Sequence, residues 1–302
     1  MDIKQKEYLI SIAGEEILFD CPMSTYTTFG VGGQAEAICK VGNLKTLKKL
    51  IAFLNTEHIQ YVTVGRGSNI LVKDEGIDGV VIRLQGSLAS MEVKDLINSI
   101  VIAGGGLLLS ELLVHCRDSG LGGIEFLAGI PGTVGGAVVM NAGAFGKEIG
   151  SFVREVHIIT KTGDLKKIGP PHLEFYYRHF KVEKGAVIAR VCLKLIRKEK
   201  KLVEKETCEF LKKRKGYQPN YPSAGSVFRN PPNDFAGRLI ENAGLKGKRI
   251  GGAMISDKHA NFIVNAGGAK AKDILDLLHL AQKSVKEKTG IELEPEIEII
   301  GE

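Results

Sequence analysis

No two cysteines in this chain are spaced for chemistry. The five, Cys21, Cys39, Cys116, Cys192 and Cys208, are odd in number, widely separated and without a CxxC pair. That excludes a disulfide framework and a zinc site and leaves reduced thiols, most of them buried. No apolar run approaches the ~20 residues that span a bilayer. The opening MDIKQKEYLISIAGEE lacks the charged-then-apolar pattern of a signal peptide, so a cytoplasmic protein is expected. Two nucleotide fingerprints are missing as well. GRGSN at 65–69 follows a strand pattern, but position 70 is Ile and no long helical pattern comes after it, so it is not a dinucleotide fingerprint. Gly247-Lys248 lacks both the upstream Gly and the Ser/Thr of a phosphate loop. There is no G-x-S-x-G elbow for a hydrolase serine, no internal repeat and no low-complexity tract.

What is present describes a globular protein. A length of 302 residues admits two domains, each with a proper core, and 25% charged with 44% hydrophobic residues is ordinary for such a chain. The net charge of +6 is local: ten Lys/Arg against four Glu lie between Lys194 and Lys215, and the remainder balances. A general nucleic-acid binder spreads its basic residues over a face. One patch fits a solvated helix or a site for a single anionic small molecule.

The periodicities order the chain. Residues 1 to about 20 read as an initial strand or arm. Gly30, Gly32 and Gly33 bend into an alternating strand at Ala35, Ala37 and Cys39, and Asn43 caps an amphipathic helix on Leu44, Leu47, Leu50, Ile51 and Leu54. Tyr61 to Leu84 reads as strand, sharp turn, strand, loop, strand. A strand over 99–103 leads to a helix with Ser110 as its cap, Leu112, Leu113 and Cys116 buried, His115 and Arg117 solvated, and Gly120 as its stop. Strands follow at 153–160 and 186–196, then a basic helix over about 200–215. Beyond it come a short helix on Ala236, Leu239, Ile240 and Ala243, strands at 250–255 and 261–265, a helix on Ile274 to Val285 ended by Gly290, and a final strand over 293–300.

Three stretches carry chemistry. Gly122 to Gly146 has eight glycines among Ile, Leu, Val, Ala and Phe. A flexible linker would be polar. Glycine among apolar residues means a buried, sharply bent backbone, which serves either tight turns or a cradle whose bare N–H groups bind a phosphate-bearing cofactor. FYYRHF at 175–180 sets Arg178 among aromatics, where a guanidinium needs an anionic partner. Glu292, Glu294, Glu296 and Glu298 alternate with Leu293, Pro295, Ile297 and Ile299, as a solvated edge strand would.

GRGSNILV, AGIPGTVGGAVVMNAGAFG, PSAGSVFRNP and LEPEIEIIG, in this order, resemble the UDP-N-acetylenolpyruvoylglucosamine reductase family from about Thr27 to Gly301. The resemblance implies an α+β chain. Its N-terminal two-thirds (1–200, in two subdomains meeting near 85–90) would be an FAD-binding fold of the p-cresol methylhydroxylase/vanillyl-alcohol oxidase type. A smaller α+β substrate domain would occupy 201–302. It implies non-covalent FAD, since no His stands in these motifs, and NADPH as reductant, with hydride passing through flavin N5 to an enolpyruvyl alkene. FAD contacts are implied at Gly65, Arg66, Gly67, Ser68 and Asn69, and at Ala128, Gly129, Pro131, Gly132, Val134, Gly135, Gly136, Asn141, Ala142 and Gly143. Arg178 and Glu296 would stabilise the enolate-like charge, with Glu296 protonated or acting through Arg178 or water, and Ser226 would deliver the proton.

Lys213 and Arg214, beside Tyr217 and Gln218, suit the UDP diphosphate, a solvated helix end being the other reading; Asn230, Arg238, His259 and Asn261 are lesser candidates. Only 47 residues separate Arg178 from Ser226, so the chain looks like the family's shorter form, without the loop whose tyrosine closes over substrate. Tyr217 or Tyr221 could take that place. Competing readings are another oxidoreductase of the same fold and a non-catalytic nucleotide-binding module, which would not need Arg178, Ser226 and Glu296.

Overall fold

A computed structural model describes residues 1–301. The chain forms two compact units, one of Met1–Phe19, Ala37–Gly65 and Gly79–Lys213, the other of Asp20–Glu36, Arg66–Asp78 and everything from Arg214 onward. Against the expected linear division at 200, segments 20–36 and 66–78 belong with the C-terminal unit.

The first unit opens with helix α1, Ile3–Ala13, where a strand or arm is expected. Asp2 and Gln5 form a reciprocal cap, the Gln5 N–H donating to Asp2 Oδ1 at 2.8 Å and the Asp2 N–H to Gln5 Oε1 at 2.9 Å. Only Leu9 of this helix is buried, so no apolar period announces it. Helix α2, Leu44–Thr56, is as expected: Asn43 Oδ1 accepts from the Thr46 N–H at 2.9 Å, and Leu47, Leu50, Ile51 and Leu54 are buried. They share a core with Ala37, Cys39, Val41, Val80 and Ile82. Burial pushes the Cys39 thiol up to about 12, which keeps it neutral and unreactive. The strands run in the order Ile17–Pro22, Gln34–Val41, Ile77–Leu84, Tyr61–Thr63.

A second, antiparallel sheet orders Leu165–Ile168, Val153–Ile159, Val187–Lys194, Ile100–Gly104 and Met91–Asp95. Its apolar face shares a core with helix α3, Leu109–Asp118, and the short helix α4, Val134–Val139. Ser110 is not the cap of α3 but lies inside it. The helix begins at buried Leu109, whose N–H is taken by the Gly132 carbonyl at 3.0 Å, and Glu111 accepts from the Leu108 N–H at 3.4 Å. The basic helix α5, Lys200–Tyr217, begins in this unit, which ends within it at Lys213.

In the second unit α6, Ala236–Asn242, is followed by Gly244 at φ +79°. A three-stranded sheet, Arg249–Ile250, Ala253–Ile255 and Ile263–Asn265, packs on α7, Ala271–Thr289. Helix α7 buries Ile274, Leu277, Leu278, Ala281 and Val285 and stops at left-handed Gly290. Its N-terminus is capped from afar, both Asp74 oxygens accepting from the N–H groups of Ala271 and Lys272 at 2.9 Å.

The final strand is shorter than expected: Glu298–Ile300 pairs parallel with Ile70–Val72, and upstream only Pro295 bridges to Phe228. Pro295 can bridge without an N–H because the bonds run through its neighbours, from the Arg229 N–H to Glu294 and from the Glu296 N–H to Val227. The strand is short because the chain then changes partner, from Phe228 to Ile70–Val72. This pairing and the Asp74 cap are what draw 66–78 into the C-terminal unit. Among the described residues no helix is long and apolar enough to cross a membrane.

Candidate active site

In the first unit, Gly122–Gly146 folds as a turn at Glu125–Leu127, a loop, α4 and a hairpin pairing Gly143–Ala144 with Lys147–Glu148. The loop's backbone bonds run to its surroundings: Ala128 N–H to Glu125, Ile130 N–H to Leu127, Val134 N–H to Leu107 and Gly135 N–H to Gly105. None of these uses the N–H of Gly129 or Gly132. Ala128, Val134 and Gly135 thus brace the loop with buried backbone, while Gly129, Pro131 and Gly136 are exposed. Gly65, at the start of the GRGSN turn, lies against the same loop, since a Cβ there would stand 2.5 Å from Thr133 Oγ1.

Glu125 escaped the sequence reading, although a carboxylate inside GGIEFLAG is conspicuous. It is 1% exposed, accepts from the Gly123 N–H at 2.9 Å and pairs with Lys198 Nζ at 3.1 Å; Lys198 also meets Glu206 at 2.6 Å. Burial disfavours the Lys198 charge, yet its bonds to Glu206 and Glu125 outweigh that and raise its pKa. Losing Lys198 would leave the buried Glu125 carboxylate without its cation, so the network ties the residues just before α5 to the cradle.

Arg178 occupies the tip of a hairpin between Phe175–Tyr176 and His179–Phe180, with left-handed φ of +55°. Its guanidinium carbon lies 5.1 Å from the Tyr177 ring centre, and Phe175 stacks on Phe180 at 4.6 Å. The side chain of Asn141 is engaged by protein groups, and Ala142 donates its N–H to the Ala137 carbonyl at 2.7 Å.

In the second unit the segments that carry Ser226 and Glu296 are paired through the main chain. Ser226 is half-buried between Gly225, at φ +78°, and Val227. The Val227 carbonyl accepts from the Glu296 N–H at 2.7 Å, and its N–H donates to the Asn261 carbonyl at 2.8 Å. Asn261, buried, brackets Phe228 on both sides: Oδ1 accepts from its N–H at 3.0 Å and Nδ2 donates to its carbonyl at 2.8 Å. From the other side Asn69 Nδ2 donates to the Glu296 carbonyl at 3.0 Å, and the Asn69 carbonyl accepts from Glu298 at 2.9 Å. Ser68 beside it is half-buried, and Arg66 is exposed.

The lesser candidates divide. Arg238 is held by Asp234 through Nε at 2.8 Å and Nη2 at 2.5 Å, and Asn230 caps α6 by accepting from Ala236 at 3.0 Å. His259 Nδ1 accepts from the Asn261 N–H at 3.2 Å, and burial lowers its pKa, both favouring the neutral ring. The ring lies edge-on to Phe262 and 6.2 Å from that of exposed Tyr217. Arg214 is buried and Gln218 half-buried; Tyr221 is exposed. Lys213 Nζ, in the first unit, lies 5.8 and 5.6 Å from the rings of Phe145 and Phe210.

A UDP-N-acetylenolpyruvoylglucosamine reductase of Caldicellulosiruptor bescii is 44% identical over 300 residues, 98% of this chain and 94% of its own. The chain belongs to the UDP-N-acetylenolpyruvoylglucosamine reductase family. The C-terminal domain model of that reductase matches residues 218–300, and an FAD-binding domain model matches 35–169. The crystal structure of the reductase from Thermus caldophilus superposes with a TM-score of 0.81 at 40% identity, covering 95% of this chain and 98% of that one. Berberine bridge enzyme shares the fold alone, at TM-score 0.52 and 15% identity over 66% of this chain and 44% of its own. Like other reductases of the family, the chain is an FAD-dependent oxidoreductase on the vanillyl-alcohol oxidase-type fold.

The residues present fit FAD. Most glycines of the reductase motifs have reasons inside the chain; a Cβ on Gly67, which has φ +64°, would fall 2.1 Å from the Tyr26 carbonyl oxygen. Gly136 has no such reason, because a Cβ there would meet only Thr133 Oγ1, at 3.5 Å. Its missing side chain fits close approach by a ligand. Gly67→Ala is therefore expected to cost about 2–4 kcal/mol of stability through left-handed strain and overlap. Gly136→Ala is expected to leave stability unchanged or gain about 0.5–1 kcal/mol, while binding flavin more weakly. Denaturant titration and flavin absorbance check both, and normal flavin binding by Gly136→Ala would remove that face from the cradle.

Proposed function

We propose that this chain reduces UDP-N-acetylglucosamine enolpyruvate to UDP-N-acetylmuramate, with NADPH as reductant, in peptidoglycan precursor synthesis. The observation that carries the reading is the clamped pair Ser226–Val227 and Glu296, in the unit matched by the reductase C-terminal domain model. Bound FAD supplies a two-electron relay between the nicotinamide and the alkene.

The overall reaction adds a hydride to one alkene carbon and a proton to the other, converting NADPH to NADP⁺ and the C=C bond to a single bond. Hydride addition at the terminal carbon throws charge toward the carboxylate, making an enolate. Arg178 binds that carboxylate and stabilises the charge with a planar fork of donors. Ser226 Oγ gives its proton to the carbon bearing the ether oxygen; a hydroxyl is a weak acid, but an enolate carbon is basic enough to take it. Glu296 acts protonated, or through Arg178 or water, since its charged form would repel the enolate. Lys213, Arg214, Tyr217 and Gln218 serve the UDP portion, and Gly65 to Asn69 with Ala128 to Gly136, Ala142 and Gly143 hold the cofactor or brace the segments that do.

The test is a single turnover without oxygen. Protein reduced by NADPH is mixed with the enolpyruvyl UDP-sugar, and rapid return of the oxidised flavin spectrum with formation of UDP-N-acetylmuramate is expected. Flavin that stays reduced, or that UDP-N-acetylglucosamine reoxidises equally well, would overturn the reading.

A further inference from the structure

The hairpin that carries Arg178 is held by one polar side chain from the glycine-rich stretch. Asn141 is 1% exposed and has φ of +41°, a conformation that Asn tolerates better than most side chains. Its Nδ2 donates to the Tyr176 carbonyl at 2.9 Å and to Glu148 Oε2 at 2.7 Å, and its Oδ1 accepts from the Gly150 N–H at 3.1 Å. Both amide hydrogens are thus used within the protein. Two glycines let the partners close on each other. A Cβ on Gly143 would lie 3.2 Å from Arg178 Nη1 and 2.9 Å from Glu148 Cγ, and one on Gly150 would lie 2.7 Å from the Phe175 ring. Segments 141–150 and 175–180 are therefore fitted without slack, and Asn141 is a polar link between them.

We propose that Asn141 is a positioning residue for Arg178: by gripping the Tyr176 carbonyl and Glu148 it fixes the left-handed turn and, with it, the direction of the guanidinium. This rests on the reading of Arg178 as the group that binds the enolate carboxylate. Tyr176 is two residues before Arg178, so a shift of its carbonyl re-aims the turn. The amide chemistry is specific. Asp would keep the acceptor for Gly150 but lose both donors and set a second carboxylate against Glu148; Ser has one hydrogen to donate where two are used. The MNAGAFG motif alone assigns Asn141 to the cofactor, whereas its bonds point to the arginine.

The experiment uses the flavin-loaded enzyme and follows the two half-reactions separately in Asn141→Ala and Asn141→Asp. Flavin reduction by NADPH is expected at the wild-type rate, while oxidation of the reduced flavin by the enolpyruvyl substrate slows by roughly 100-fold, the order expected for a misplaced catalytic group. In an Arg178→Ala background the same change is expected to alter the oxidative step by no more than about twofold, because the group it positions is gone.

Equal slowing of both half-reactions, or an undiminished multiplicative loss in the Arg178→Ala background, overturns the proposal while leaving Arg178 in place. Loss of bound flavin in both Asn141 variants also overturns it, returning the residue to the cofactor cradle. Full activity of Arg178→Ala alone overturns the underlying reading of the arginine, and the proposal with it.

Discussion

Ser226→Ala is expected to reduce turnover of the enolpyruvyl substrate by roughly 10²–10⁴-fold, the usual range for a positioned proton donor, while NADPH still reduces the flavin at a normal rate. The structure makes this substitution clean. The segment around Ser226 is held by main-chain bonds from Val227 to Asn261 and Glu296 and by the Asn261 amide on Phe228, and none of these needs the serine hydroxyl. Ser226 is only half-buried, so removing one oxygen leaves no large cavity. The thermal midpoint should barely move, and the loss should appear in the oxidative half-reaction alone. Near-normal turnover would sink the proton-donor assignment; a parallel loss of flavin reduction would show that the change had disturbed the cofactor.

Arg178→Lys is expected to lose about 10²–10³-fold in kcat, comparable to deleting one donor that stabilises an oxyanion. Charge is conserved, so a purely electrostatic role for Arg178 would survive the change. Geometry is not conserved: the ammonium is a point charge without the planar fork that binds a carboxylate through two bonds. The backbone adds a constraint, because position 178 is left-handed at φ +55° and the outgoing direction of the side chain is set by the turn. A flexible lysine stem loses that direction and the contact over the Tyr177 ring. Steady-state kinetics with flavin content as control decides it, and full activity in this variant would refute the bidentate role.

Much of the fold is legible in local pattern. Helices α2 and α7 declare themselves because their apolar residues recur at helical spacing and their ends carry recognisable signals, the Asn43 cap and left-handed Gly290. Helix α1 hides because one buried residue, Leu9, makes no period, and the shift in the start of α3 hides because buried Leu109 outranks the capping preference of Ser110. The final strand over-reads because alternation at 293–300 runs across a change of pairing partner, from Phe228 at Pro295 to Ile70–Val72 at Glu298–Ile300.

The sequence by itself determined the chemistry class and the family. Short motifs such as AGIPGTVGG and PSAGSVFRNP combine glycine geometry with particular polar groups, and that information is local. Tertiary structure alone decided how those motifs support one another. Asp74 caps α7 across 197 positions and Asn69 holds the Glu296 carbonyl across 227, assigning the turn after Gly65 to the unit that carries Ser226. Asn141 grips the turn of Arg178, and Glu125 meets Lys198 inside the core. Hydrogen bonds between residues so distant leave no periodic trace in the chain. They arise only when folding brings buried donors and acceptors to positions where each must find a partner.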